Sequence, residues 1–256
     1  TGMLDINRLF DPAEKFNTQN LDIKQSESAR TIVFKQKIVF DNCTFEENTV
    51  FSGPWSDPDA LAVIFKDDVI FNSSVFKGQV RFRSGRFEKT AGFDGCTFNG
   101  VCSFKNTIVK GDAKFRTAVF NGYSLFGSVT FESSARFTNT QFVKGVNFAD
   151  TKFLHQVDFN GVYCSSRALP AYENVRFKLK AKGKGKSFWR FVKQTSLDAG
   201  YYQLAGECFY KERCASLQRK LNPAEYDNFP PAKKILHLLK SLKFIPEYLL
   251  GKLLFG

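Results

Sequence analysis

Methionine, tryptophan and histidine are nearly missing from this 256-residue chain, which has one Met, two Trp and two His against thirty Phe. Globular cores mix Leu, Ile, Val and Phe to fill irregular space, so a core leaning this hard on one ring speaks against an ordinary enzyme interior and for repetition. No apolar run reaches the roughly 18 residues of a spanning helix and no signal-peptide pattern opens the chain, so the expectation is a cytosol-facing piece. His155 and His237 have no carboxylate or thiol at ligand spacing, which leaves no metal reading. The same scarcity leaves no catalytic or cofactor-binding residue to nominate. Acidic excess is lacking too. With 37 Lys+Arg against 25 Asp+Glu the net charge is +12, which disfavours mimicry of nucleic acid and favours an anionic partner.

The charge is unevenly placed. Residues 1–31 carry 4 basic and 5 acidic groups, residues 32–163 carry 15 and 13, and residues 164–256 carry 18 and 7. Whatever anionic surface the protein meets is therefore met by its last third. The Gly-Lys alternation of 182–186 reads as an exposed seam within a basic linker, 164–186.

What is abundant is also periodic. Phe falls at 34, 40, 45 and 51, then at 65, 71, 76, 82, 87, 93, 98, 104, 115, 120, 126, 131, 137, 142, 148, 153 and 159, in steps alternating six and five, with Val109 where a ring is due. The period is eleven with two marks. Between Phe51 and Phe65 nine extra residues intervene and the phase resumes, so a loop at 52–60 is expected to bulge from one corner. Two positions before each Phe sits a small or β-branched residue, as at Val69, Ala91, Cys96, Cys102, Thr107 and Ala135. An i, i+2 pair facing one way is strand geometry, and the intervening Gly, Asn, Asp, Ser and Thr are turn formers.

The motifs CTFNG (96–100), AVFNG (118–122), VTFES (129–133) and VDFNG (157–161) resemble pentapeptide-repeat proteins over residues 32–163. The resemblance implies a mainly β fold, a right-handed four-sided β-helix with the central Phe stacked along the axis. The sixth residue in alternate units departs from the family and makes each coil two full periods of eleven. Such a column of rings leaves no cleft for substrate.

Cys43, Cys96 and Cys102 take the small inward slot, which reads as buried free thiols in a reducing compartment. Gly185-Lys186-Ser187 has a phosphate-loop flavour, but Lys180 stands where the first glycine belongs, so it reads as linker. The outward residue before each Phe is apolar in the first coils, including Ile64, Ile70 and Val75. Either an N-terminal cap (1–31) covers them, or they form a protein contact anchored by Trp55.

Beyond the repeats, 187–221 reads as a helical hairpin turning at Asp198-Ala199-Gly200, with Phe188, Phe191 and Val192 as one apolar stripe and Leu204, Cys208 and Phe209 as the other. The last segment, 222–256, is a Pro-rich break followed by a basic amphipathic stretch. Lys233, Lys234, Lys240, Lys243 and Lys252 flank Leu238, Leu239 and Leu242, a pattern for an anionic membrane surface or for a helix packed on the hairpin. DAGYYQLAGECFYKER and the Pro-containing spacer resemble the segment joining pentapeptide repeats to a two-helix ion-channel-type membrane domain in bacteria. That resemblance implies a cytoplasmic β-helix at the cell membrane, a homo-oligomer through a membrane domain following residue 256, and no nucleic acid. Thr1-Gly2 ahead of Met3 fits a piece of a longer protein. The alternative is a soluble pentapeptide-repeat scaffold or topoisomerase-binding protein.

Overall fold

A computed structural model of the chain describes residues 21–25, 30–52, 61–165, 169–178 and 185–221. The Phe clock turns into geometry through very short strands. Most units contribute two strand residues, such as Arg86–Phe87, Ala91–Gly92, Thr97–Phe98 and Cys102–Ser103, and then a corner. These four strands belong to one coil, and each pairs in parallel with its counterparts in the coils before and after it. Thr97 lies opposite Val75 and Val119, and Phe98 opposite Phe76 and Phe120. Four ladders result, of eight, six, six and five strands, and together they make a four-sided β-solenoid of about five turns followed by two helices. The faces are named below after Phe87, Phe93, Phe98 and Phe104.

Inside, each face supplies one column of rings. Phe98 stacks between Phe76 at 5.0 Å and Phe120 at 4.6 Å, while columns of opposite walls meet edge-on across the axis, as Phe104 meets Phe115 at 5.4 Å and 84°. Both arrangements suit the aromatic quadrupole. Val109 interrupts the Phe87 column between Phe87 and Phe131 and is buried. The small residues two positions before each ring, from Val69 to Val157, are buried beside it.

The two corner types explain the alternation of five and six. Every five-residue corner holds a residue of positive φ two places after the ring: Asn42, Ser73, Ser84, Gly95, Asn106, Thr117, Ser128, Asn139, Asp150, Gly161 and Asn174. The N–H of the residue that follows it closes a turn onto the ring residue's carbonyl, as Thr107 N–H does onto Phe104 O at 3.1 Å, the pattern of a type II turn. Buried hydroxyls then tie coils together, with Thr107, Thr140 and Thr151 donating to the Phe82, Phe115 and Phe126 carbonyls at 2.6 to 2.8 Å. Six-residue corners bring backbones into contact instead. A Cβ on Gly100 would stand 2.5 Å from the Gly78 carbonyl oxygen, so that corner requires glycine.

Successive N–H groups along a strand point to opposite neighbouring coils, and the two that flank each ladder bond share one sense on each face. On the Phe87 and Phe98 faces these flanking N–H groups donate to the preceding coil, as Glu88 does to Phe65 O and Asn99 to Phe76 O, both at 2.9 Å. On the Phe93 and Phe104 faces they donate to the following coil, as Phe93 does to Lys114 O at 2.7 Å and Phe104 to Leu125 O at 2.8 Å.

The register accounts for both irregularities. Ile38 pairs with Val69 and Thr49 with Val80, a separation equal to one regular coil plus the nine-residue insertion, so the coils keep phase across it. Near the other end Lys152 pairs with Arg176, a separation two positions longer than the regular step from Thr130 to Lys152. The ladders thus run to Phe177, past residue 163 and into the segment read as linker. Cys164 follows Phe142 in its column, and Ala171 bridges Asn147 so that Tyr172 follows Phe148; with Cys and Tyr where Phe is due and Phe177 two places off the regular step, the last coil was invisible to a Phe count.

The ends differ. At the start, Leu21–Gln25 pairs antiparallel with Arg30–Phe34 at the edge of the Phe87 ladder. At the finish, α1 (Lys186–Asp198) and α2 (Tyr202–Leu221) form the expected hairpin, turning through Gly200 at φ 78°. Phe188 meets Phe148, Phe159 and Phe177, and Phe191 stacks over Phe159 at 5.6 Å, so α1 acts as a final layer on the ring columns. Among the described residues no helix is long and apolar enough to cross a membrane.

Candidate interaction surface

The sequence nominated surface residues, and the structure disperses those it describes. Ile64, Ile70 and Val75 are half-buried and leave the second coil from the Phe87, Phe93 and Phe98 faces respectively, so no single flat surface holds all three. Trp55, Lys233, Lys234, Lys240, Lys243, Lys252, Leu238, Leu239 and Leu242 lie outside the described residues, as do the loop proper (53–60), most of the cap segment and the whole of 222–256.

Charges on the solenoid neutralise one another between coils. Lys89 reaches Asp67 at 2.9 Å, Arg116 reaches Asp94 at 2.6 Å and Arg136 reaches Asp112 at 3.7 Å. Glu88 receives Lys110 at 2.9 Å and Arg86 at 2.7 Å; the Lys110 hydrogen bond holds its carboxyl below the usual range against a smaller opposing effect of burial. Exposed pairs of this kind stabilise little, yet they leave the repeat body almost without net field.

The buried thiols are chemically quiet, and Cys43, expected among them, is half-buried instead at the less covered first coil. All six Cys are free. Burial pushes Cys96 up to about 12 and Cys164 up to about 11, and raises Cys102 and Cys208 as well, so none of these four is a thiolate nucleophile at neutral pH. Cys96 Sγ lies 2.8 Å from the Phe71 carbonyl, a bond between neighbouring coils. Among the described residues no group of His, Cys, Asp and Glu could hold a metal ion, and His155 is exposed. The Gly185-Lys186-Ser187 stretch is used for docking: Gly185 lies against the Phe177 ring, and Ser187 Oγ accepts from the Phe159 N–H at 3.1 Å and faces the Val157 carbonyl at 3.3 Å.

The hairpin carries the more distinctive chemistry. Glu212, nearly buried, receives Arg190 at 2.9 Å and Lys193 at 2.7 Å. Burial alone would raise its carboxyl, but the bonds from Lys193 and Arg190 outweigh that and hold it below the usual range. Lys211 lies 4.6 Å over the Trp189 ring and 5.5 Å from Tyr172, whose hydroxyl, pushed up chiefly by burial, shares a hydrogen bond with Cys208. Phe188, Phe191, Val192 and Cys208 are buried as expected. Phe209 is not: it is exposed, together with Leu197, Tyr201 and Tyr202. The sequence reading grouped Phe209 with Cys208, yet adjacent helical residues diverge by about 100° and only one of the two can face inward.

Residues 62–108 and 115–162 match the family model described as pentapeptide repeats (9 copies). Comparison with curated proteins and with solved structures found no match.

Proposed function

Since this chain is a pentapeptide-repeat protein, we propose that it serves as a non-catalytic scaffold held at an anionic membrane surface by its basic C-terminal third, where the solenoid regulates or assembles a membrane-embedded ion-channel-type domain. The observation that carries the reading is the division of charge. The repeat body is nearly neutral and its ions are paired between coils, whereas residues 164–256 hold 18 basic against 7 acidic groups. The hairpin supports this arrangement mechanically, because α1 is bonded and stacked onto the last coil and so couples the stiff body to the chain leaving it. A column filled with rings and thiols raised by burial give a substrate little to react with.

The test is vesicle flotation of the full chain. Binding is expected to vesicles containing anionic lipid and not to neutral ones. It should fall between about 0.05 M and about 0.5 M salt as the Debye length shrinks below about 5 Å. Removing 232–256 should weaken binding at least tenfold. Equal binding to neutral vesicles, or none to anionic ones, overturns the reading.

A further inference from the structure

Four large side chains on the hairpin have an apolar or aromatic body facing solvent. Leu197 near the end of α1 is 40 % exposed, Tyr201 and Tyr202 at the link are 56 % and 74 % exposed, and Phe209 two turns into α2 is 53 % exposed. Helical spacing sets three of them in two rows, with Tyr201 in the link between the helices. Lys193 and Leu197 are one turn apart on α1, Tyr202 and Phe209 two turns apart on α2, and Lys193 Nζ stands 5.5 Å from the Phe209 ring centroid, which joins the two rows. Gly206, between Tyr202 and Phe209 on the same row, has open space where its Cβ would be. The stripe that docks on the solenoid, Phe188, Phe191 and Val192, points elsewhere.

The geometry points to this hairpin face as a lipid-docking surface that meets an anionic bilayer with Leu197 and Phe209 entering the acyl boundary and Tyr201 and Tyr202 at headgroup level. The inference rests on the membrane-surface reading above and places a described face in it. Charge selects the occupant. Residues 186–221 hold seven basic and three acidic groups, net +4, and 232–256 hold five Lys and one Glu, again +4. A second copy packed on this face, or the chain's own last segment folded over it, would set like charge against like. Anionic headgroups set opposite charge against it, and exposed rings on a segment of net positive charge are the composition of interfacial anchors.

The experiment compares four full-length proteins by flotation with vesicles of about 30 % phosphatidylserine in phosphatidylcholine: the parent, Tyr202→Ser with Phe209→Ser, the set Lys233→Gln, Lys234→Gln, Lys240→Gln and Lys243→Gln, and Phe209→Trp. The hairpin pair is exposed, so its melting temperature should match the parent's, and its affinity should drop about tenfold, which corresponds to about 1.4 kcal/mol. Brominated lipid should quench Phe209→Trp more strongly than the parent's own Trp55 and Trp189. If the hairpin pair floats like the parent while the lysine set does not, the inference is overturned and the basic-tail reading stands. If the lysine set floats like the parent while the hairpin pair does not, the inference stands and the tail reading falls. A shift of the hairpin pair from dimer to monomer in lipid-free sedimentation, or full protection of Phe209→Trp from quenching, overturns the lipid assignment in favour of a second copy or of 232–256.

Discussion

The solenoid and the helical hairpin solve the same problem, burying Phe rings, by opposite means. In the solenoid each ring meets a copy of itself one coil away, so one local rule is applied coil after coil and the contacts are interchangeable. In the hairpin every contact is made once: Phe188 inserts among three columns, and Glu212 holds two cations from the facing helix. Redundancy makes the first region tolerant of irregular length, as the nine-residue insertion shows. Uniqueness makes the second a joint whose loss cannot be shared out among neighbours.

The sharpest way to break the comparison is at a ring in the middle of a column. Phe98→Ala should cost roughly 3 to 5 kcal/mol in urea unfolding, because stacked neighbours held by two ladders cannot collapse into the gap. Next comes Phe188→Ala, expected to cost about 3 kcal/mol and to act locally. Hydrogen exchange should rise at 146–177 while coils near Phe87 to Phe120 stay protected. Uniform deprotection would mean that the molecule unfolds as one unit and that the two regions are not distinct.

Glu212→Gln should cost roughly 1 to 2 kcal/mol by loosening the hairpin. Because the folded-state pKa of Glu212 is depressed, its contribution is fully present above the usual glutamate value of about 4.3 and is lost as pH falls through the lower folded value. Parent and variant melting temperatures should therefore converge on acidification below about 4.3. A gap constant with pH would detach the effect from ionisation.

A smaller effect, of opposite sign, is expected at the corners. Thr117 is β-branched yet sits at φ 55°, so Thr117→Asn should stabilise by about 0.5 to 1 kcal/mol. Smallest of all, Thr97→Ala on the outside of the Phe98 strand should change stability by less than about 0.5 kcal/mol. A cost near that of Phe98→Ala would invert the assignment of inside and outside.

Most of the solenoid was legible in the sequence because its period is written in one residue type. Phe spacing and the small residue two places earlier predicted very short strands and the resumption of phase after the insertion, while the four-sided coil of two periods followed from the resemblance to pentapeptide repeats. The corners were equally written, in the turn formers recurring every eleven residues from Ser73 through Asn139, but their left-handed backbone needed coordinates to be seen. The last coil was hidden because Cys164 and Tyr172 stand where Phe is due and two extra residues break the count. On the hairpin, the inward stripe of α1 was readable from its spacing. The outward row was not, since Phe209 next to Cys208 satisfies a loose helical pattern and only packing decides which of them turns in.

The alternating sense of the backbone hydrogen bonds has an electrical consequence. Each peptide unit carries a dipole of about 3.5 D, and in an α-helix these add along the axis to about half a charge at either end. In the solenoid the flanking N–H groups of each strand, two against the one between them, point toward the first coil on the Phe87 and Phe98 faces and toward the last on the Phe93 and Phe104 faces, so opposite walls agree and adjacent walls oppose. The axial sum cancels coil by coil. Such a rod can grow by whole turns without building polarity from its own backbone, and among the described residues the aligned peptide dipoles belong to α1 and α2. Whatever potential separates the two ends of this molecule is carried by side chains, above all lysine and arginine. It can therefore be adjusted by surface substitution and screened by salt while the architecture stays as it is.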